Sequence, residues 1–555
     1  MSLILTAALP TEIVLHIIAL SAPASIRTCL RVCRPLKQLI DASDHLQYML
    51  ELDRCGYIEP NCPRTDLNYA EKKRMLRTHR ARLETPKTIE PTQYELPAGI
   101  PTGATPFVGG ILTMKPLQID GPSNLIWFCQ LPSNNRNTVL KNWSIEFGVL
   151  FYEFIVDPEQ DLLIGFECIQ LDNTLRVHMR VHIRTMTTGK PHPESAIPHF
   201  LTEGILAPVP GEPDRIHVQV ISRSLAITRW SWISRRFYTT VWNWKTGKKF
   251  SVCPLRLIRN ASFINSLKQY LNFVDKYTGP PQLISEDYLV ALRSSILPGT
   301  ATHMPNYGLG CLNVYKVDFH STTPAPAIHI TSLALPLERN LGTTYQLSIK
   351  LAYSTAVSMH HGSSSSVYDL RSRDRFLCLE ITPNGDPEDD PYRQRILYMP
   401  VSALLDICSK QHITLTEPEP NLVPWSDWAH SVIWLFDSEF APSTFLHLFD
   451  QRAVVRSYQG DRGQLIMHDF HRRRLTSHDI NSAKLPDLLR SQDSTNASLF
   501  CTGDFRAAGS CPRVTWDIPR MDWRDWVSMD DECVLLHKIE TTDSGVKSIV
   551  TSYNF

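Results

Sequence analysis

From about residue 90 to Phe555, short apolar runs of strand length alternate with turn residues, and long helical patterns are almost absent. The stretch LRVHMRVHIR, residues 175–184, shows this most clearly, because apolar and basic residues alternate along it with a period of two. One face of the predicted strand therefore carries Leu175, Val177, Met179, Val181 and Ile183. The opposite row is basic, includes His178 and His182, and is expected to form a solvated sheet edge. The two histidines could form an i, i+4 metal-binding pair only on a helix, so the strand pattern argues against a metal site here.

Turn residues recur between the apolar runs. Glycine follows a polar residue in RTMTTGK (184–190), WNWKTGKK (242–249), ITPNGD (381–386) and IETTDSGV (539–546), as tight turns with a positive φ require. The segment VWNWKTGKK resembles the strand and turn that end a WD-type propeller blade, although the spacing along the chain is irregular and longer than the ~40–45 residues of a regular WD repeat. We therefore predict a divergent β-propeller of about six to eight four-stranded blades with long insertions, and a pair of packed β-sandwiches is the alternative.

The first forty residues are different, because their apolar residues recur at helical spacing. Leu9-Pro10-Thr11-Glu12 has the composition of a helix start, and the positions that follow on one side are Ile13, Val14, Ile17, Ile18 and Leu20. A second helix is predicted after Pro23, and a third begins near Leu36. Three short helices cannot enclose much core. They are expected either to dock on the rest of the chain or to keep an apolar face for another protein.

The segment LPTEIVLHIIALSAPASIRTCLRVCRPLKQLID resembles an F-box, a three-helix module with a Leu-Pro-x-Glu opening, an Ile-rich first helix and a later Val-Cys-[KR]-x-aromatic stretch. The following DASDHLQYMLEL, DRCGY and LNYAEKKRMLRTHRARLE are similar to the corresponding part of fungal F-box proteins with propeller-like C-terminal regions. The closing stretch WVSMDDECVLLHKIETTDSGVKSIVTSYNF is similar to the end of that family. Ser21 stands where the family usually has Leu, and Leu36 replaces the usual aromatic residue.

The F-box resemblance implies binding to the Skp-type adaptor of an SCF-type ubiquitin ligase and, through the adaptor, to a cullin. Carried over by position, the adaptor-binding residues are Leu9, Pro10, Glu12, Ile13, Ile17, Ile18, Leu30, Val32, Cys33 and Leu36. Their expected role is burial of an apolar face against partner helices, while some of them serve as core positions inside the module. The β region would then hold an unknown protein target. The alternative is a protein-interaction scaffold that recruits no ligase.

The predicted fold class is therefore α+β and multidomain. The F-box helical module is expected at residues 4–50, a connecting helix and linker at 51–90, and the propeller-like recognition domain at 91–555. The connecting helix is expected to be capped by Asp66, to carry an apolar side with Leu67, Ala70, Leu76 and Leu83, and to space the module from the body. Its other side is expected to be solvated and carries Lys72, Lys73, Arg74, Arg77, Arg80 and Arg82.

Several functions are not expected from the sequence. It contains no G-x-S-x-G, G-x-x-x-x-G-K-[ST], H-E-x-x-H or post-strand G-x-G-x-x-G motif, so we predict no catalytic residues and no cofactor. The 13 cysteines lack metal-ligand spacing, which favours reduced thiols without a metal in the cytoplasm or nucleus. The 56 basic and 56 acidic residues cancel, so the chain has no net charge that would attract nucleic acid or anionic lipid. No Lys or Arg precedes Arg27, so the apolar opening lacks the basic start of a signal peptide, and no membrane partner is expected.

Three insertions between the predicted strands are candidates for target recognition, because propeller insertions collect on one face. They comprise residues 294–310, 354–374 and 482–500. The second is rich in serine and contains His360 and His361, a composition typical of a disordered or phosphorylated segment. The acidic run Asp386–Asp390 is expected to be a solvated loop, and His430 is expected to pack beside tryptophans.

Overall fold

A computed structural model shows a helical region followed by a body that is mostly β. The structure describes residues 9–84, 90–96, 107–116, 123–169, 176–202, 205–206, 216–231, 236–254, 280–294, 310–317, 325–335, 344–351, 366–370, 375–384, 395–410, 422–428, 431–436, 446–449, 452–459, 462–469, 506–507, 513–518, 526–530, 532–542 and 545–554.

Five helices form the N-terminal region. They are α1 (Thr11–Ala19), α2 (Pro23–Cys29), α3 (Arg34–Ala42), α4 (Asp44–Cys55) and α5 (Tyr69–Glu84). Pro23 and Pro35 lie in the first turns of α2 and α3, where a missing N–H leaves no hydrogen bond unmade. The side chain of Ser43 caps α4 by accepting from the N–H of Leu46 at 3.4 Å, and Gly56 ends the same helix with a φ of +81°. Within the body, the structure also has α6 (Val401–Lys410) and α7 (Trp425–Trp428).

The helices α1 to α4 share a small apolar core. Its buried members are Val14, Ile18, Ile26, Ile40 and Leu46. Each helix turns one apolar stripe inward, as amphipathic helices do when they pack together. The predicted three-helix module is therefore a cluster in which α4 completes the core.

Among the described residues, the body has seven sheets of four antiparallel strands, several of them extended by a fifth strand. Sheet 1 contains Phe107–Val108, Ile111–Met114, Ser123–Gln130 and Lys141–Phe151. Sheet 2 contains Glu153–Asp157, Leu162–Ile169, Arg176–Thr185 and His199–Leu201, with Ile205–Leu206 beside the third strand. Sheet 3 contains Ile216–Ile221, Ser224–Ser231, Arg236–Asn243 and Lys248–Pro254, extended by Ala325–Pro326. Sheet 4 contains Gln282–Leu283, Tyr288–Ser294, Gly310–Lys316 and Ile328–Ala334, extended by Leu422–Val423.

The remaining sheets follow the same order along the chain. Sheet 5 contains Thr344–Leu351, Phe376–Asn384, Arg395–Pro400 and Ile433–Phe436, extended by Arg506–Ala507. Sheet 6 contains Leu446–Phe449, Arg452–Gln459, Arg462–Asp469 and Arg513–Ile518. Sheet 7 contains Trp526–Met529, Cys533–Thr542 and Gly545–Asn554, and its fourth strand is Thr92–Glu95. A separate two-stranded sheet joins Tyr57–Ile58 to Asp369–Leu370.

The sheets are arranged as a propeller. Thr92–Glu95, which precedes sheet 1, pairs antiparallel with the last strand of sheet 7, so the two ends of the body meet in one sheet. Among the described residues, six of the seven neighbouring sheet pairs share a cluster of buried apolar side chains, including the pair formed by sheets 7 and 1. Successive packing of this kind closes a ring. The prediction of a propeller arrangement is confirmed, and two packed sandwiches do not describe this connectivity.

The strand Arg176–Thr185 confirms the period-two pattern but not its predicted position. Met179, Val181 and Ile183 are buried, as the alternation requires. The strand is paired on both sides, however, so it is not a sheet edge. Its basic row is partly covered, since the buried His182 places Nε2 at 2.9 Å from a carboxylate oxygen of Glu167. The expectation of a solvated edge was wrong because a strand pairs on each side of Arg176–Thr185, and one of these strands supplies Glu167 as the partner of His182. Leu175 lies outside the described residues.

Two of the predicted glycine turns lie within the described residues in full. Gly189 has a φ of +69° and Gly247 a φ of +68°, which residues with a Cβ rarely adopt. A Cβ at Gly247 would also collide with the side chain of Ile197. The turn predictions at RTMTTGK and WNWKTGKK are therefore confirmed.

His537 is a buried titratable group between sheets 7 and 1. It lies in the second strand of sheet 7 and is 2% exposed. Neither of its ring nitrogens has a hydrogen-bond partner among the described residues. Burial lowers its pKa from 6.5 to about 4, because a charged imidazole is poorly solvated there. Burial also lowers the pKa of His182 and of His217.

We expect folding stability to fall as the pH drops from 6.5 towards 4, because the unfolded chain binds a proton at His537 that the folded chain does not. Between pH 7 and pH 4.5, the wild type should lose about 2 kcal/mol more unfolding free energy than His537→Leu, as measured by urea denaturation. His16→Leu changes an exposed histidine and should retain the wild-type loss. Equal pH sensitivity of the wild type and His537→Leu would contradict this expectation.

Candidate protein-interaction surface

The outward side of α1 carries three exposed apolar residues, which we call the α1 ridge. Ile13 is 46% exposed, Ile17 is 52% exposed and Leu20, just after the helix, is 77% exposed. Their spacing of four and three residues places them along one face of the helix. Val14 and Ile18 lie on the other side, in the helical core. The α1 ridge is therefore apolar surface that this chain leaves in contact with solvent.

The ten residues predicted to bind the adaptor divide into three groups. The exposed ones are Pro10, Glu12, Ile13, Ile17 and Val32. The half-buried ones are Leu9, Leu30, Cys33 and Leu36. Ile18 is buried in the helical core, so in this arrangement its side chain is not offered to a partner. Leu9, Leu30 and Leu36 also pack against that core.

Leu20 is the surface residue that the predicted set omitted. The sequence pattern placed it on the same side as Val14 and Ile18, yet the structure separates the apolar residues of α1 into an inward and an outward row. Periodicity could not separate the rows, because almost the whole circumference of this helix is apolar. The signal that could have found Leu20 is its spacing of seven residues from Ile13.

The helix α4 attaches the helical module to the body. Leu46 lies in the core shared with α1 to α3, whereas Tyr48 and Leu52 belong to a second core formed with sheets 6 and 7. The hydroxyl of Tyr48 donates to the carbonyl oxygen of Val367. Burial raises the pKa of that phenol, so it stays protonated and able to donate. The predicted boundary between residues 50 and 51 falls inside this helix.

The helix α5 also packs on the body, so its role as a spacer was wrongly predicted. Its residues Leu76 and Leu83 are buried in the same core as Val454 of sheet 6 and Leu536 of sheet 7. Leu67 is half-buried there, as predicted, but Ala70 is exposed. The connecting helix therefore holds the module against the ring.

The start of α5 has a different cap from the predicted one. The side chain of Asn68 accepts from the N–H of Glu71 at 2.9 Å, and the Glu71 carboxylate accepts from the N–H of Asn68 at 3.0 Å. This reciprocal pair is a capping box with asparagine in the first position. Asp66 instead pairs with the guanidinium of Arg64, which lowers the pKa of the aspartate. The prediction of Asp66 as the cap was wrong because Arg64 competes for its carboxylate.

The predicted basic face of α5 is solvated only in part. Lys72 is buried against the rings of Tyr48 and Tyr69. Lys73 places its Nζ at 2.6 Å from a carboxylate oxygen of Asp44. The solvated-face prediction was wrong for these two lysines, since the aromatic and acidic side chains of α4 and its surroundings lie against them.

Residues 366–370 tie the helical region to the ring. They belong to the predicted insertion 354–374, and Leu370 pairs with Tyr57 while Asp369 pairs with Ile58. The side-chain oxygen of Asn135, in the loop between the last two strands of sheet 1, accepts from the N–H groups of Val367 and Tyr368 at 2.8 and 3.1 Å. Part of this predicted insertion therefore serves to attach the helices.

The other predicted insertion residues, apart from Ser294 and Gly310 at the ends of strands, lie outside the described residues. They comprise 295–309, 354–365, 371–374 and 482–500. Asp386–Asp390 and His430 also lie outside the described residues.

A buried polar network lies under α5. The Nη2 of Arg452 donates to the hydroxyl oxygen of Tyr57 at 2.9 Å, and the Nε2 of His79 lies 2.8 Å from the same oxygen. The ring of Tyr57 stacks on that of Tyr368 with 4.3 Å between their centres. All four side chains are buried. Hydrogen bonds and stacking of this kind fix the orientation of α5 on sheet 6.

Among the described residues, no three side chains of His, Cys, Asp or Glu are grouped so that they could bind a metal ion. None of the helices that the structure describes is long and apolar enough to cross a membrane.

No family model and no curated protein matches the chain. Among solved structures, the chain is similar to the uncharacterized protein lmo1340 from Listeria monocytogenes EGD-e, with 8% identity over 80% of this chain and 92% of that one and a TM-score of 0.37. It is similar to the β-propeller domain of the Trilobed protease from Pyrococcus furiosus, described as having an open velcro topology, with 8% identity, coverages of 80% and 91% and a TM-score of 0.34. A protein from Lactobacillus plantarum gives 12% identity, coverages of 65% and 78% and a TM-score of 0.28.

At these identities and TM-scores, the likenesses add nothing about activity. The class of protein follows from the chain's own architecture, which is a mostly β propeller arrangement with a helical region docked on it. A propeller body supports a role in protein interaction, because loops between its strands present a broad recognition surface.

Asn135→Ala should loosen the attachment of residues 366–370, because the amides of Val367 and Tyr368 lose the side-chain oxygen of Asn135 as an acceptor. A hydrogen bond of this kind contributes about 0.5–1.5 kcal/mol, so we expect hydrogen exchange of these two amides to accelerate by roughly 2- to 10-fold. Mass spectrometry of peptides covering residues 366–370 measures this. Asn142→Ala changes an exposed asparagine on sheet 1 and should leave the exchange unchanged. Equal acceleration in both variants would show that Asn135 has no specific role.

Proposed function

We propose that the chain is a non-enzymatic substrate receptor of an SCF-type ubiquitin ligase. Its N-terminal helices would bind a Skp-type adaptor and, through it, a cullin. Its body would bind a protein target. The observation that carries the proposal is the α1 ridge, whose residues Ile13, Ile17 and Leu20 remain exposed on a module that has its own buried core. The F-box resemblance of the same segment supplies the kind of partner.

The α1 ridge has the physical properties of a docking surface. Each large apolar side chain that a partner buries fully contributes about 1.5–3 kcal/mol. Three such residues on one helical face are enough to place that face at the centre of an interface. The half-buried Leu30 and Leu36 support the ridge from within the module.

The proposed contribution of the receptor is proximity. The module and the body are joined by the buried core that contains Tyr48, Leu52, Leu76 and Leu83. A target on the body would therefore be held at a restricted distance from the adaptor, which raises its effective concentration near the ubiquitin-loaded enzyme. No bond of the target is altered by this chain itself. A receptor of this kind would work in the cytoplasm or nucleus.

A second candidate function is a protein-interaction scaffold that recruits no ligase. It is favoured by the internal docking of α4 and α5, since these helices already use much of their apolar surface against the body. The two candidate functions differ in whether the α1 ridge binds a Skp-type adaptor, as the receptor requires and the scaffold does not.

The test is a quantitative pulldown of the full chain with a purified Skp-type adaptor. The double variant Ile13→Asp with Ile17→Asp should weaken adaptor binding by at least ~100-fold, because two apolar contacts are replaced by buried carboxylates. Both residues are exposed, so the melting temperature should stay within a few degrees of the wild type.

The matched control is Val139→Asp with Leu140→Asp, which changes two exposed apolar residues just before the last strand of sheet 1 in the same way. The control should bind the adaptor as the wild type does. No binding of the wild type would favour the scaffold, and equal loss in both double variants would reject the α1 ridge as the docking surface.

A further inference from the structure

A cluster of arginines surrounds one buried carboxylate where α4 meets α5. Glu51 of α4 is buried, and nitrogens of Arg54, Arg77 and Arg80 each lie 3.6 Å from one of its carboxylate oxygens. Arg54 belongs to α4, and the other two belong to α5. Arg74 lies one turn before Arg77 on the same helix and is exposed. We call Arg54, Arg74, Arg77 and Arg80 the arginine patch.

The arginine patch retains donors that face solvent. Arg54 is 62% exposed and Arg77 is 58% exposed. At 3.6 Å their contact with Glu51 is an ion pair that is longer than a strong hydrogen bond. In the part of the chain that the structure describes, neither of these two guanidiniums donates a hydrogen bond to another group. Each can therefore pair with a further anion.

The exposed arginines of the patch outnumber the carboxylate beside them. Arg54, Arg77 and the nearby Arg74 carry three positive charges against the single carboxylate of Glu51, which leaves a charge of +2 on these four side chains. The acidic residues of α5 stand near its two ends, at Glu71, whose carboxylate accepts from the N–H of Asn68, and at Glu84. The nearest acidic residues of α4 have partners of their own, since Asp44 pairs with Lys73 and Asp53 with Arg27.

We propose that the arginine patch binds an acidic segment of a partner protein, a run of Asp and Glu residues. Arg74 and Arg80 are six residues apart, so the patch extends for about 9 Å along α5, which suits several carboxylates in sequence better than one compact anion. Glu51 itself shows that these guanidiniums converge on a carboxylate. This surface is separate from the α1 ridge, and the proposal does not depend on adaptor binding.

The probe is a fluorescent peptide of eight glutamates, and its binding to the full chain is measured by anisotropy at 50 mM salt. We expect saturable binding that weakens at least fivefold at 300 mM salt, because exposed charge pairs are screened. A peptide of eight glutamines should not bind. Arg54→Gln with Arg77→Gln should weaken binding at least fivefold. The control Arg31→Gln with Lys37→Gln removes the same charge from exposed positions in the turn before α3 and in α3, and should stay within twofold of the wild type.

Glu51→Gln provides a test in the opposite direction. Removing the central carboxylate releases the guanidiniums of Arg54 and Arg77 from their pairing with Glu51, so the glutamate peptide should bind at least threefold more tightly if the melting temperature is retained. A purely structural role of the cluster would give no such gain. Equal loss in both arginine and control variants, or stronger binding to a thymidine oligonucleotide, inorganic phosphate or phosphatidylserine vesicles than to the peptide, would overturn the proposal. The adaptor pulldown on the same variants should be unchanged, which separates this result from the fate of the α1 ridge.

Discussion

The two-sided packing of α4 is the interaction on which the relation between the helical module and the ring depends. One side of this helix contributes Leu46 to the module core, and the other contributes Tyr48 and Leu52 to a core shared with sheets 6 and 7. A single helix that is buried from both directions cannot shift relative to one region without disturbing the other. The exposed α1 ridge is consequently presented at a defined position on the propeller.

Three further attachments act together with α4. The helix α5 buries Leu76 and Leu83 against the ring, and residues 366–370 pair with the segment after α4. Asn135, in a loop of sheet 1, accepts hydrogen bonds from those residues. Their contacts join parts of the chain that are more than two hundred residues apart. Such contacts fix the connecting segment relative to the ring. This matters for the proposed tethering function, because a flexible linker lowers the effective concentration of a bound target.

The local chemistry of the sequence predicted much of the fold. The alternation around Met179 and the glycines at the tight turns were correct, because side-chain period and positive φ are properties of short segments. The predictions that failed depended on contacts with residues distant in sequence, or on competition between two groups for the same side chain. Asp66 was expected to cap α5 but pairs with Arg64, and the docking of α5 could not be read from its own residues. The inward and outward rows of α1 were likewise beyond prediction, since apolar residues occupy almost every side of that helix.

The strand Thr92–Glu95 completes sheet 7 by pairing with Gly545–Asn554. During translation, Thr92–Glu95 is synthesised more than four hundred residues before Gly545–Asn554. The ring therefore stays open until nearly the whole chain has been made. Until then the nascent body exposes an unpaired strand edge, which is the kind of surface that associates with other chains. Premature termination anywhere before the last strand leaves that edge permanently unclosed.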